Sequence, residues 1–125
     1  MRGRSSTWWG VVLEAPDARA LAEFYAALLG WPIAKDEPGW VVIAVPGTTS
    51  YLGFQTSADF APPVWPAHPG RQQMMSHLDI EVDDLPAAVA DAVEHGARLA
   101  EHQPQEDVRV LLDPVGHPFC LYLGS

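Results

Sequence analysis

The segment VVLEAPDARALAEFYAALLGW, residues 11–31, has the pattern of a β-strand that leads into an amphipathic helix. Apolar and β-branched residues come first, and Asp17 then stands where a helix N-cap is expected. Beyond it the large apolar residues recur at the spacing of one helix face; they are Leu21, Phe24, Tyr25, Leu28 and Leu29. Gly30 is the residue type that commonly ends a helix. The segment therefore predicts a strand over 7–15 and a helix over 16–30.

The segment LDIEVDDLPAAVADAVEHGAR, residues 78–98, has the same order of features. Asp84 takes the place of Asp17, and Gly96 stands near the position of Gly30 when the two segments are laid together. Short apolar segments after each helix predict three further strands: 32–37, 39–47 and 50–56 in the first half, and 97–105, 108–116 and 118–123 in the second. The repeat predicts an α+β fold of two tandem βαβββ modules, module one over 7–56 and module two over 76–125.

Residues 57–75 break this pattern and are predicted to be a linker. The segment has no periodicity and contains four prolines, Pro62, Pro63, Pro66 and Pro69. A long loop inside a compact domain is often functional. Trp65 is therefore expected to cover either a ligand cavity or a partner subunit.

Composition excludes several classes of protein. The 125 residues suit one domain, and 48% hydrophobic with 18% charged residues is a globular composition. A net charge of −9 argues against a nucleic-acid partner. The single cysteine excludes a disulfide framework and fits the reducing cytosol. With neither a signal peptide nor a run of roughly 18 apolar residues, we expect a cytoplasmic protein without a membrane partner.

The chain resembles the vicinal oxygen chelate superfamily in the FY..LLGW letters of residues 24–31, in HLDIEVDD at 77–84 and in DPVGHPFCL at 113–121. That superfamily includes glyoxalase I, extradiol dioxygenases, fosfomycin-resistance enzymes and bleomycin-binding proteins. The chain is most similar to its glyoxalase-like domain branch. The resemblance covers the whole chain and implies that each module curls a mixed sheet into a half-barrel, with its helix outside and a cavity between paired modules. It also implies a homodimer.

The resemblance further implies four metal ligands, one near the start and one near the end of each module. Three of the matching positions hold His77, Cys120 and Gly10. For the fourth, strand parity admits one of three residues, namely Tyr51, Gly53 and Gln55. Gly10 offers no side chain and Cys120 replaces a glutamate, which leaves a poor oxygen-chelating set. We therefore predict no bound metal and no other cofactor.

Cys120 is predicted to be a small residue in a buried strand rather than a nucleophile. A reactive cysteine needs a nearby positive charge that stabilises its thiolate. The sequence neighbours Phe119 and Leu121 provide none, although His77 could approach across the cavity.

Strand alternation predicts which side chains face the cavity. From module one they are Trp8, Gly10, Val12 and Glu14, together with either Trp40, Val42 and Ala44 or the opposite face of that strand. From module two they are His77, Asp79, Glu81, Cys120 and Tyr122. The remaining histidines, His68, His95, His102 and His117, are predicted to be surface residues.

The proposed ligand-binding residues are Trp8, Gly10, Trp40, Gly53, Gln55, Trp65, Cys120 and Tyr122. Gly10 and Gly53 would leave room for a ligand because they lack side chains. His77 and Asp79, two residues apart on one face, would either form an acid–base pair or anchor a polar ligand. Glu14 is a further candidate for acid–base catalysis.

These features leave four functions open. The first is a small-molecule binding protein of the antibiotic-sequestering kind, for which an acidic cavity favours cationic or aromatic ligands. The second is a metal-independent isomerase, cyclase or lyase. The third is a metal-dependent enzyme of the glyoxalase or dioxygenase type, and the fourth is a non-catalytic dimerisation domain. The first two together are the preferred interpretation.

Overall fold

The computed structural model describes residues 1–124, which form two compact units. The first unit ends at Phe60 and the second begins at Ala61. The first contains β1 (Trp9–Ala15), α1 (Ala18–Leu29), β2 (Ile33–Glu37), β3 (Trp40–Ala44) and β4 (Ser50–Thr56). The second contains β5 (Leu78–Val82), α2 (Leu85–His95), β6 (Arg98–Leu99), β7 (Val108–Leu112) and β8 (Pro118–Leu123). Each unit is therefore one βαβββ module, as predicted.

The first unit is an open four-stranded sheet in the order β1-β4-β3-β2. Strand β1 pairs with β4 in parallel, and the other pairs are antiparallel, so the sheet is mixed. Helix α1 packs against β3 and β4. Its fully buried Tyr25 ring lies 5.7 Å from that of Phe54, and Val41 and Ile43 complete the buried face of the sheet.

The second unit repeats this arrangement with the strand order β5-β8-β7-β6. Strands β5 and β8 are parallel, and β8, β7 and β6 are antiparallel neighbours. Helix α2 contacts β8, and the buried side chains Leu111, Phe119 and Leu121 form the core on that side of the sheet. The predicted α+β fold of tandem modules is thus confirmed.

Both helices begin and end as the sequence predicted. The Asp17 carboxylate accepts hydrogen bonds from the N–H groups of Arg19 and Ala20, and Asp84 accepts one from Ala87. Gly30 and Gly96 close the helices with φ of 70° and 119°, a left-handed conformation that favours glycine. No helix within residues 1–124 is both long enough and apolar enough to cross a membrane.

The largest departure from the predicted strands is β6, which was expected over 97–105 and covers only Arg98–Leu99. The Gln103 side chain takes over the pairing beyond it. Its Oε1 accepts from the Val110 N–H at 2.9 Å, and its Nε2 donates to the Val110 carbonyl at 2.8 Å. An amide side chain therefore satisfies a buried backbone group that a longer strand would have paired.

Candidate functional site

In the first unit, the strand register places most of the predicted residues on the sheet face away from α1. Gly10 lies opposite Tyr51, Val12 opposite Gly53, and Glu14 opposite Gln55. Strand β3 continues the row, because its residues on this face are Trp40, Val42 and Ala44, while Val41 and Ile43 are buried on the other. This decides between the two faces that the sequence left open for β3.

The space beside the two glycines of this face is filled by aromatic rings of the same unit. A Cβ atom on Gly53 would lie 2.6 Å from Cη2 of Trp40, and one on Gly10 would lie 2.6 Å from Cδ2 of Tyr51. The expectation that these glycines leave room for a ligand is therefore corrected. They make room for two rings, which cover the sheet and give its open face an aromatic surface.

In the second unit, three functional groups meet on the sheet face away from α2. Asp79 of β5 lies opposite Cys120 of β8, and His77 precedes β5 on the same side. The His77 Nε2 is 3.1 Å from the Asp79 Oδ1, and the ligand atoms of all three residues lie within 4.8 Å of one another. We call these residues the His–Asp–Cys cluster.

Asp79 is the common partner within the cluster. Burial raises the pKa of the Cys120 thiol, and the negative charge of Asp79 and a hydrogen bond to it raise that pKa further. The thiol of this half-buried residue therefore stays protonated near neutral pH, and its S–H group donates a hydrogen bond to the carboxylate. A protonated thiol is a weak nucleophile.

The cluster does not fit the metal centre that the superfamily implies. Its donors are one imidazole, one carboxylate and one thiol, and they come from a single unit. At the matching position of the first unit, Gly10 has no donor and is covered by the Tyr51 ring. Hard metal ions that chelate substrate oxygens prefer sets of oxygen and nitrogen ligands.

The other predicted site residues occupy varied positions. Tyr122 is half-buried opposite Glu81 in the row that follows the cluster. Glu14 and Gln55 are exposed at the end of β1 and β4, and Trp8 is exposed ahead of β1.

Trp65 and two of the histidines have contacts that the sequence did not predict. The Trp65 Nε1 donates to the His102 carbonyl at 3.1 Å, and the two rings lie 5.7 Å apart. His117 is half-buried rather than exposed, and its backbone N–H donates a hydrogen bond to the carboxylate of the buried Asp113. Strand parity had admitted Tyr51 only as one of three alternatives, and no local pattern pointed to its contact with Gly10.

Known structures share this architecture at low sequence identity. A glyoxalase/bleomycin resistance protein/dioxygenase family enzyme from Burkholderia phytofirmans PsJN is 20% identical, with a TM-score of 0.67 over 90% of this chain and 94% of that one. TnmS3, an antibiotic binding protein from Streptomyces sp. CB03234, is 20% identical, with a TM-score of 0.57 over 91% and 93%. The oxidase ChaP-H2 is 17% identical, with a TM-score of 0.65 over 95% and 94%.

These likenesses show the fold, and the family follows from the sequence itself. No curated protein matches the chain. Residues 10–122 match the family described as the glyoxalase-like domain. That match includes both βαβββ modules and the whole His–Asp–Cys cluster. The protein is therefore a member of the glyoxalase-like domain family, within the vicinal oxygen chelate superfamily.

Proposed function

We propose that the protein binds a small organic molecule without a metal, and that the ligand carries a cationic or aromatic group. The observation that carries the proposal is the His–Asp–Cys cluster, in which the Asp79 side chain is 59% exposed and can still accept a further donor. A carboxylate oxygen has lone pairs for more than one hydrogen bond. An amine of the ligand would donate this further hydrogen bond to the Asp79 carboxylate.

Charge and relatives support the same ligand class. The chain has 16 acidic and 7 basic residues, so its field attracts cations. A protein of the same fold, TnmS3, is described as an antibiotic binding protein. We propose antibiotic sequestration or a related binding role as the most direct use of the site.

The test is a titration of cationic aromatic compounds, followed by tryptophan fluorescence, with Asp79→Asn as the variant. We expect saturable quenching, and an affinity roughly 10- to 150-fold lower in the variant, because a lost charged hydrogen bond costs about 1.5–3 kcal/mol. Asp91→Asn is the matched control, since Asp91 also lies beside a histidine, at 3.5 Å from His95, but on α2. Equal affinities of the two variants, or no quenching by any compound, would contradict the proposal.

A second candidate is metal-independent acid–base catalysis, as in an isomerase, cyclase or lyase. It is favoured by the 3.1 Å contact between His77 and Asp79, because a carboxylate that orients an imidazole is a common acid–base arrangement. Glu14 is proposed as a further acid or base. In this case His77→Ala should abolish turnover and leave ligand binding within about twofold. Full activity of that variant would exclude His77 as a catalytic group.

The metal-dependent alternative has its own measurement. Elemental analysis of protein purified without chelators should find transition metals far below one per chain. A stoichiometric metal that is lost in both His77→Ala and Cys120→Ala would overturn metal independence and leave the binding proposal open to revision.

We also propose a cytoplasmic homodimer. The single, partly buried cysteine suits a reducing compartment. Strand β1 is an edge of its sheet, and large apolar side chains are exposed along it and just before it, namely Trp8, Trp9, Val11 and Val12. Exposed apolar side chains on an open strand edge commonly mark an interface, and a second copy of the chain is the proposed partner.

A further inference from the structure

The proline-rich segment of the second unit contains no acidic residue. Residues 61–76 contain no aspartate or glutamate, although the whole chain has 16. The segment carries Arg71 and His68. In a protein of net charge −9, this is a local region where an anion meets no repelling side chain of the same segment.

Part of the segment forms a closed loop. The Val64 N–H donates to the Gln72 carbonyl at 2.9 Å, and Val64 forms a β-bridge with Gln73. Trp65 fixes the loop to residue 102 through its indole N–H. A loop whose ends are joined in this way is compact and keeps its shape, so its side chains hold defined positions.

The loop borders an open cavity of about 350 Å³ whose lining residues are all exposed, and this volume is within the size range of small-ligand sites. Its lining consists of Ala67, His68, Pro69, Gly70, Arg71 and Gln73. A turn brings the two basic residues to it, because the Arg71 N–H donates to the His68 carbonyl at 3.2 Å, and Gly70 between them has a φ of 78°.

The guanidinium of Arg71 is available for a ligand. Among residues 1–124 it has no hydrogen-bond or ion-pair partner, whereas Arg19 pairs with Glu23 and Lys35 with Glu37. His68 uses its Nδ1 toward the Pro69 carbonyl at 3.1 Å, which leaves Nε2 as the free ring nitrogen.

We propose that this loop cavity binds an oxyanion, either the carboxylate or the phosphate group of a small molecule. Arg71 supplies two parallel N–H donors to the anion. The Gln73 amide supplies a further, neutral donor, and the His68 ring lines the same cavity. None of the residues that line this cavity belongs to the His–Asp–Cys cluster.

The experiment is calorimetric titration of the protein with inorganic phosphate and, separately, with benzoate. For the better probe we expect saturable binding with a dissociation constant between about 1 μM and about 1 mM. The probe that binds more tightly identifies the anion class. Arg71→Gln should weaken binding at least about 10-fold, and Arg71→Lys should restore part of it because the charge returns without the planar fork. High salt should weaken the interaction.

The matched control is Arg98→Gln, because Arg98 is another exposed arginine of the second unit that does not line the cavity. It should leave anion affinity unchanged. No saturable heat with either probe up to about 50 mM, or equal losses in the Arg71 and Arg98 variants, would overturn the inference. Unchanged circular dichroism of each variant establishes that the fold is intact.

Discussion

Asp79 is the residue on which the second unit's candidate site depends, because both His77 and Cys120 interact with it. The carboxylate is exposed enough to meet a ligand and is also held in place by its two neighbours. At this scale, the charge of one side chain changes the chemistry of another, because Asp79 helps to raise the pKa of the Cys120 thiol. Two predictions can be tested on single residues.

The first concerns the reactivity of Cys120. Asp79→Asn removes the negative charge that helps to raise the thiol pKa, so the thiolate forms at a lower pH. We expect iodoacetamide to alkylate the variant several-fold faster than the natural protein at about pH 8. The rate should also reach its plateau at a lower pH.

Unfolded protein provides the control for this measurement, because both chains should then react at one rate. An alkylation rate that is unchanged or slower in the folded variant would contradict the assigned contact between Asp79 and Cys120.

The second prediction concerns Gly53 of the first unit. Alanine normally suits a strand better than glycine, but here its Cβ would meet Trp40 at 2.6 Å and Val12 at 3.2 Å. We expect Gly53→Ala to lower the free energy of unfolding by about 1–3 kcal/mol, as overpacking does. In a Trp40→Ala background the cost should be smaller, because the nearest atoms are gone.

Denaturant unfolding of the four chains of this double-mutant cycle measures the difference. Gly10→Ala is an informative comparison, since its Cβ would meet the backbone carbonyl of Tyr51 as well as the ring. Removing the Tyr51 side chain should not relieve that clash. Equal costs of Gly53→Ala in both Trp40 backgrounds would contradict the ring placement.

Strand β6 is shorter than the strand predicted over 97–105, and a side chain takes part in the pairing beyond it. The segment after Leu99 contains Pro104, which disfavours a strand, and the Gln103 amide pairs with both backbone groups of Val110. Cross-strand pairing by a side chain is invisible to patterns of hydrophobicity. The helices had no such competition, and their capping residues fixed their ends.

The β6 arrangement predicts that Gln103→Ala destabilises the second unit. The variant would leave the N–H of the buried Val110 without its partner, at a cost of about 1–3 kcal/mol. Chemical denaturation measures the loss. Gln105→Ala is the control, because Gln105 is exposed and only its backbone carbonyl is used, by Arg109. Similar stabilities of the two variants would show that the Gln103 contacts are not needed.

At the scale of the whole molecule, strand β1 and the residue before it carry exposed large apolar side chains. Trp8 and Trp9 are 61% and 62% exposed, and Val11 and Val12 are also open. Burial of apolar surface contributes about 25 cal/mol per Å², so covering these side chains would favour association of two chains.

We therefore expect a dimer by light scattering at micromolar concentrations, and a shift to monomer in Trp9→Lys. A lysine on an edge strand opposes pairing with another strand. Leu99→Lys is the control, because Leu99 is also an exposed apolar residue but belongs to β6. A monomeric natural protein, or a dimer that Trp9→Lys leaves intact, would contradict this interface.

The sequence by itself determined the two modules, the four helix ends and the face that most strand residues occupy, while the face of the β3 residues stayed open. Asp17, Asp84, Gly30 and Gly96 act within one or two turns of their own positions, and strand alternation is equally local. It also placed His77 and Asp79 together, because they are two residues apart. Such short-range features can be read without knowing which strands become neighbours.

Only the tertiary structure decided what those residues touch. The register of β5 against β8 sets Cys120 beside Asp79, and the packing of the first unit lays Tyr51 and Trp40 over glycines. Likewise, within the predicted linker, a hydrogen bond from Val64 to Gln72 closes a loop beside a cavity, and Trp65 fixes that loop at His102. Most of these contacts join segments far apart in the chain, where register and rotamer, rather than local pattern, determine the neighbours.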